Sequence, residues 1–135
     1  METFDSTKRS LFEILKDAHK GKIQLPDFQR GWIWDDVRIK GILASVAKSF
    51  PIGAVMFLET GNENLRFKAK PVEGVKLDND VEPDLLILDG QQRITSLYQT
   101  IITNEIVTTR NERNYEIKRW YYIDMVKAMD ENYDL

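Results

Sequence analysis

Four bulky apolar residues in a row, Leu85-Leu86-Ile87-Leu88, run without polar interruption into Asp89-Gly90. A strand of this composition has no face to offer water, so it belongs inside a sheet layered with helices. Asp-Gly ends it, because glycine reaches positive φ and aspartate hydrogen-bonds nearby backbone. Beyond the turn, Ile94, Leu97, Tyr98, Ile101 and Ile102 recur at helical spacing, which predicts one apolar stripe of an amphipathic helix. The polar run Asp89-Gly90-Gln91-Gln92-Arg93 therefore stands on a corner between a buried strand and a helix. A chain organised around such a corner is of the α/β class, or mixed α+β.

That corner is chemically unusual for a turn. The first amides of a helix lack intrahelical partners and favour anions. Arg93 adds a permanently charged planar fork. Gln91 and Gln92 bring neutral donors and acceptors, and Asp89 brings a carboxylate able to hold Mg²⁺ or orient a water. Two readings stand open: a phosphate or carboxylate site, and a structural corner in which Asp89 caps the helix and Arg93 pairs with an acidic neighbour.

A second stretch has the same double character. Pro26 to Asp35 gathers Phe28, Trp32 and Trp34 with Gln29 and Arg30 in an irregular segment ahead of a helix. Loops that mix large rings with charge are often binding loops, and such rings equally plug the edge of a core.

Around these stretches the pattern predicts the remaining elements. Phe4 with Asp5 or Ser6 reads as a staple and cap for a helix through Leu11, Ile14, Leu15 and Ala18, ended by Gly21. His19 near that helix end reads as an ordinary surface residue. Lys22 to Leu25 forms a short alternating strand stopped by Pro26. Asp35 or Asp36 caps a helix whose stripe is Ile39, Ile42, Leu43, Val46, Ala47 and Phe50. Pro51 and Gly53 break it, and Ala54 to Leu58 reads as a second interior strand, parallel to Ile23–Leu25 through a right-handed crossover. Leu65 to Ala69 is expected as an edge strand. The acids Asp78, Asp80, Glu82 and Asp84 read as a solvated loop rather than a metal site. Glu105–Thr109 and Tyr115–Ile123 are expected as a hairpin, with Trp120, Tyr121 and Tyr122 at its aromatic end facing the core or a neighbouring domain. Val126 and Met129 then begin a helical pattern that reaches Leu135 without a capping signal, which reads as the first piece of a longer protein.

With 135 residues, 42% of them hydrophobic, residues 1–135 suffice for one domain and are too few for two. A net charge of -3 and a pI near 5.2 argue against a strongly basic nucleic-acid binder. The chain has no cysteine and one histidine, so it carries no disulfide and too few histidines for a histidine metal cage or HNH nuclease site, and a Ser-His-Asp triad, which needs its His beside specific partners, is not expected. No membrane span or signal peptide is legible, and a cytoplasmic location is expected.

Taken together, Ile23 to Trp34 with its Pro26, Phe28, Gln29 and Arg30, the helix Val37 to Phe50, the strand Gly53 to Leu58, and Asp89 to Leu97 resemble the N-terminal domain of GmrSD-type, modification-dependent restriction proteins. That family is placed in the ParB/sulfiredoxin superfamily, so the resemblance implies a small mixed sheet with flanking helices. It also implies a domain that binds and hydrolyses a nucleoside triphosphate, GTP, ATP or CTP, and regulates a DNA nuclease in phage defence. Carried over by position, Asp89, Gly90, Gln91, Gln92 and Arg93 would form the phosphate corner, with Gln29 and Arg30 facing it. Asp89, Gln92 and Arg93 would be catalytic, Asp89 placing Mg²⁺ or water. Family members continue into a helical region and often an HNH nuclease domain, so those parts, or a partner subunit, are the expected partners. A rival expectation is a DNA or modified-base sensor in which Phe28, Trp32 and Trp34 enclose a base and the arginines meet phosphate. A third is a non-catalytic interaction fragment.

Overall fold

The computed structural model describes residues 9–48, 52–60, 68–122, 126 and 129. Its elements follow in the order α1 (Leu11–His19), β1 (Ile23–Pro26), α2 (Asp36–Ala47), β2 (Met56–Glu59), β3 (Ala69–Pro71), β4 (Leu85–Asp89) and α3 (Gln91–Leu97). A π-helical turn (Tyr98–Ile102), β5 (Val107–Arg110) and β6 (Glu116–Arg119) complete it. Residues 126 and 129 are helical, as the pattern there suggested.

Four strands form one mixed sheet in the order β2-β4-β1-β3. The apolar run is β4, and it lies between two neighbours as its composition required. Strand β1 runs parallel to β4, with Ile23 opposite Leu85 and Gln24 opposite Leu86. Strand β3 is antiparallel to β1, and β2 is antiparallel to β4, with a register irregularity between Met56 and Phe57.

Three expectations about this sheet are corrected. Strand β2 is antiparallel to β1 rather than parallel, since it pairs antiparallel with β4. It also ends the sheet instead of lying inside it, and Met56 is exposed. Apolar composition reports cover over the faces of a strand and does not count its paired edges. Thirdly, β1 is buried along its whole length rather than alternating. Gln24 tolerates this because its Nε2 donates to the carbonyls of Gly21 and Val81, both at 2.8 Å, which removes the penalty of an unsatisfied buried amide.

Helix α1 is capped by Ser10, whose side chain accepts from the Glu13 N–H. The cap expected at Asp5 or Ser6, and Phe4 with them, lie outside the described residues, and the helix bearing Ile14, Leu15 and Ala18 starts later than that expectation. Ser10 and Glu13 stand at capping-box spacing. Asp35 caps α2 by accepting from the Arg38 N–H at 3.0 Å. Phe50 and Pro51 lie outside the described residues, as do 61–67, so the expected edge strand is seen only as β3.

Ile14, Leu15 and Ala18 of α1, Ile42 of α2, Ile23, Leu25 and Ile87 of the sheet, and Ile94, Leu97 and Tyr98 form one buried cluster. Fully burying each Ile or Leu stabilises by roughly 1.5–3 kcal/mol. The stripe expected after Leu97 holds at Tyr98 and Ile102, which pack in or against the core, but not at Ile101. Thr103 N donates to Tyr98 O at 3.2 Å, an i to i+5 bond, and the wider turn rotates Ile101 out to 45% exposure.

The hairpin β5–β6 is present but shorter than expected. Asn111 Oδ1 accepts from Arg113 N and Tyr115 N, both at 3.0 Å, and closes its turn. Thr109 Oγ1 donates to Trp34 O at 2.8 Å and Tyr121 Oη to Asp36 Oδ1 at 2.7 Å, so the hairpin and the segment after it are tied to the entry of α2. Trp120 and Tyr122 are exposed. No helix among the described residues is long and apolar enough to cross a membrane.

Candidate functional site

Because β1 and β4 are parallel neighbours, the segments that follow them leave the same edge of the sheet. The segment after β1 carries Phe28 to Trp34, and β4 leads through Gly90 into α3. Gly90 takes φ +94, a left-handed conformation that favours glycine, and a Cβ there would lie 3.1 Å from Val55 Cγ2 and 3.0 Å from Arg93 Nη2.

Side chains clasp the two segments together. Gln91 Nε2 donates to Arg30 O at 3.0 Å. Gln92 bonds in both directions, donating to Gly31 O at 3.1 Å and accepting from Ile33 N at 2.9 Å. Gln29 Nε2 donates to Leu88 O at 3.2 Å, and Lys70 Nζ donates to Gln29 O at 2.5 Å. Trp32 places its indole N–H 2.8 Å from Ser96 Oγ, and that hydroxyl donates to Gln92 O at 2.7 Å. The bonds of Gln29, Gln91, Gln92 and Trp32 between the two segments join positions about sixty residues apart, so the segment after β1 is held as part of the corner.

The remaining candidates are placed differently. Arg93 turns toward the approach to β2, where Nη1 donates to Ile52 O at 2.7 Å and Nη2 to Ala54 O at 2.8 Å. Asp89 and Arg30 are exposed, and their side chains make no hydrogen bond or ion pair among the described residues. Asp89 does not cap α3; Gly90 occupies that position. Phe28 is exposed at 64%. Trp34 is half-buried against the core cluster and Trp32 is half-buried at the clasp. An open cleft of about 280 Å³ lies elsewhere, between the start of α2 and the β5–β6 turn, lined by Asp36, Val37, Lys40, Asn111, Glu112 and Arg113.

A profile of the GmrSD restriction endonuclease N-terminal domain matches residues 11–134. The chain belongs to this family. It is 30% identical over 138 aligned positions to an uncharacterized protein of Methanocaldococcus jannaschii, covering 99% of this chain and 23% of that relative. The chain therefore spans under a quarter of the length of the curated relative it matches. No solved structure matches it.

The GmrSD N-terminal domain also holds polar residues that motif reasoning passed over. Ser96, fully buried, is the acceptor for Trp32; its place one helical turn after Gln92 was the available signal. Asp36 bonds both Lys40, at 2.9 Å, and Tyr121. Burial pushes the Asp36 carboxyl up, but the hydrogen bonds and charges of Lys40 and its neighbours outweigh that and hold it below its ordinary value. Tyr121 is pushed upward by burial and by Asp36. His19 is exposed, yet its Nδ1 shares a 2.8 Å hydrogen bond with the hydroxyl of buried Tyr98. Burial and the charge of Glu105 raise the Tyr98 phenol. Nothing in the local sequence marks either long-range pair.

Proposed function

We propose that this GmrSD N-terminal domain binds a nucleoside triphosphate at the corner between the segments after β1 and β4, and that nucleotide state regulates a DNA nuclease carried elsewhere in the protein or by a partner subunit. One observation carries the reading. The two motifs leave the same edge of the sheet at the ends of parallel neighbours and are clasped there through Gln29, Gln91, Gln92 and Trp32. Open α/β sheets bind ligands outside the carboxyl ends of their strands.

The clasp leaves Asp89 and Arg30 as unengaged charges among the described residues, while Arg93 is engaged with the carbonyls of Ile52 and Ala54 beside them. Asp89 is a single exposed carboxylate, and no group of three His, Asp or Glu side chains gathers among the described residues. A Mg²⁺ ion here would be held by that one carboxylate, its own waters and the substrate phosphates. In this reading Arg30 would offset charge on the phosphoryl oxygens, and Asp89 would hold the ion or orient the attacking water. The base-sensing alternative has less support, because Trp34 packs on the core and Trp32 is tied to Ser96.

Equilibrium titration of the 135-residue chain with GTP, ATP and CTP, each with Mg²⁺, followed by phosphate release, tests the proposal. Saturable binding of one triphosphate supports it, and failure of all three to bind contradicts it.

A further inference from the structure

We propose that Arg93 is a positioning residue that holds the approach to β2 against the corner, and that Arg30 is the cation left to meet the ligand's anion. The ligand half of this inference rests on the nucleotide reading; the positioning half does not.

Arg93 donates from both Nη atoms to carbonyls on either side of Gly53, at Ile52 and Ala54. Gly53 itself takes φ +96, and a Cβ at that position would collide with Arg93 Nη1. The glycine is required twice, by its left-handed backbone and by the guanidinium lying against it. Immediately beyond, Val55 packs over Gly90, and Met56 pairs with Asp89. A charge-assisted double anchor on residues 52 and 54 therefore fixes the wall over the Asp89-Gly90 turn. Anchored through both Nη atoms, the guanidinium keeps three of its five N–H donors but cannot swing its head toward a phosphate without surrendering the bonds to residues 52 and 54. Arg30 carries no such commitment: its carbonyl is fixed by Gln91, while its side chain is exposed and makes no bond among the described residues.

The test is amide hydrogen exchange across residues 55–59 of the full chain, run beside titrations with GTP, ATP and CTP plus Mg²⁺. Arg93→Ala, which removes both charge-assisted hydrogen bonds, is expected to speed exchange there in the ligand-free protein by about tenfold or more. Arg93→Lys should restore part of that protection, since one ammonium reaches one carbonyl. Gly53→Ala should have the same effect as Arg93→Ala, and the double variant should be no worse than Gly53→Ala, because both changes break one contact. Arg30→Ala should leave exchange unchanged and weaken nucleotide binding by about tenfold or more. Wild-type exchange in Arg93→Ala together with lost nucleotide binding would overturn the inference, placing Arg93 on the ligand. Unchanged binding in Arg30→Ala would equally overturn the Arg30 assignment. If wild type binds no triphosphate, the nucleotide reading fails, and the exchange pattern still decides the role of Arg93.

Discussion

Trp32 donates its indole N–H to Ser96 Oγ at 2.8 Å, joining the segment after β1 to the buried face of α3. Ser96 donates its own O–H to Gln92 O, so one hydroxyl serves both sides of the clasp. Ser96→Ala leaves the half-buried indole N–H without its acceptor, and a lost partner of this kind costs about 1–3 kcal/mol. Denaturant unfolding should show that loss as a lower midpoint at unchanged slope. A midpoint equal to wild type would mean that the clasp contributes nothing to stability.

At Gly90 the backbone itself is at stake. Its φ of +94 and the crowding from Val55 and Arg93 predict that Gly90→Ala destabilises by about 1–3 kcal/mol. Thermal or chemical unfolding checks the size, and an unperturbed variant would show that the turn relaxes freely.

The link between Asp36 and Tyr121 predicts a stability plateau with two edges. Asp36 titrates below its ordinary 3.8 in the folded protein, so its contribution is full above 3.8 and disappears as pH falls through the lower folded-state value. Tyr121 titrates above its ordinary 10.0, so its contribution is full below pH 10.0 and disappears as pH rises through the higher folded-state value. Tyr121→Phe should shrink the alkaline edge to the share that Tyr98 contributes and soften the acid one. An unchanged alkaline profile would show that the Tyr121 bond does not form in solution.

The core was easy to read and the pairing was not. Leu85 to Leu88 announced an interior strand, and Asp89-Gly90 announced its end, because both signals are local. The antiparallel placement of β2 is decided by its partner β4, and no feature of Ala54 to Leu58 encodes that choice. Ile101 left the expected stripe through a single i to i+5 bond, which periodicity cannot register. At the corner, residue types gave the chemistry on offer, but not where each side chain would spend it. Arg93 looks the same in sequence whether it faces phosphate or the carbonyls of Ile52 and Ala54. Tyr121 lies 85 positions from Asp36, beyond the reach of any spacing rule.

The thermal midpoint of the purified chain with and without GTP, ATP or CTP plus Mg²⁺ tests the central claim most directly. A triphosphate that binds only the folded state, at about 100 times its dissociation constant, adds about 2.7 kcal/mol, which raises the midpoint by several degrees in a domain this size. The account predicts such a rise for one triphosphate and its loss in Arg30→Ala. A folded wild-type chain whose midpoint moves with none of the three would contradict it.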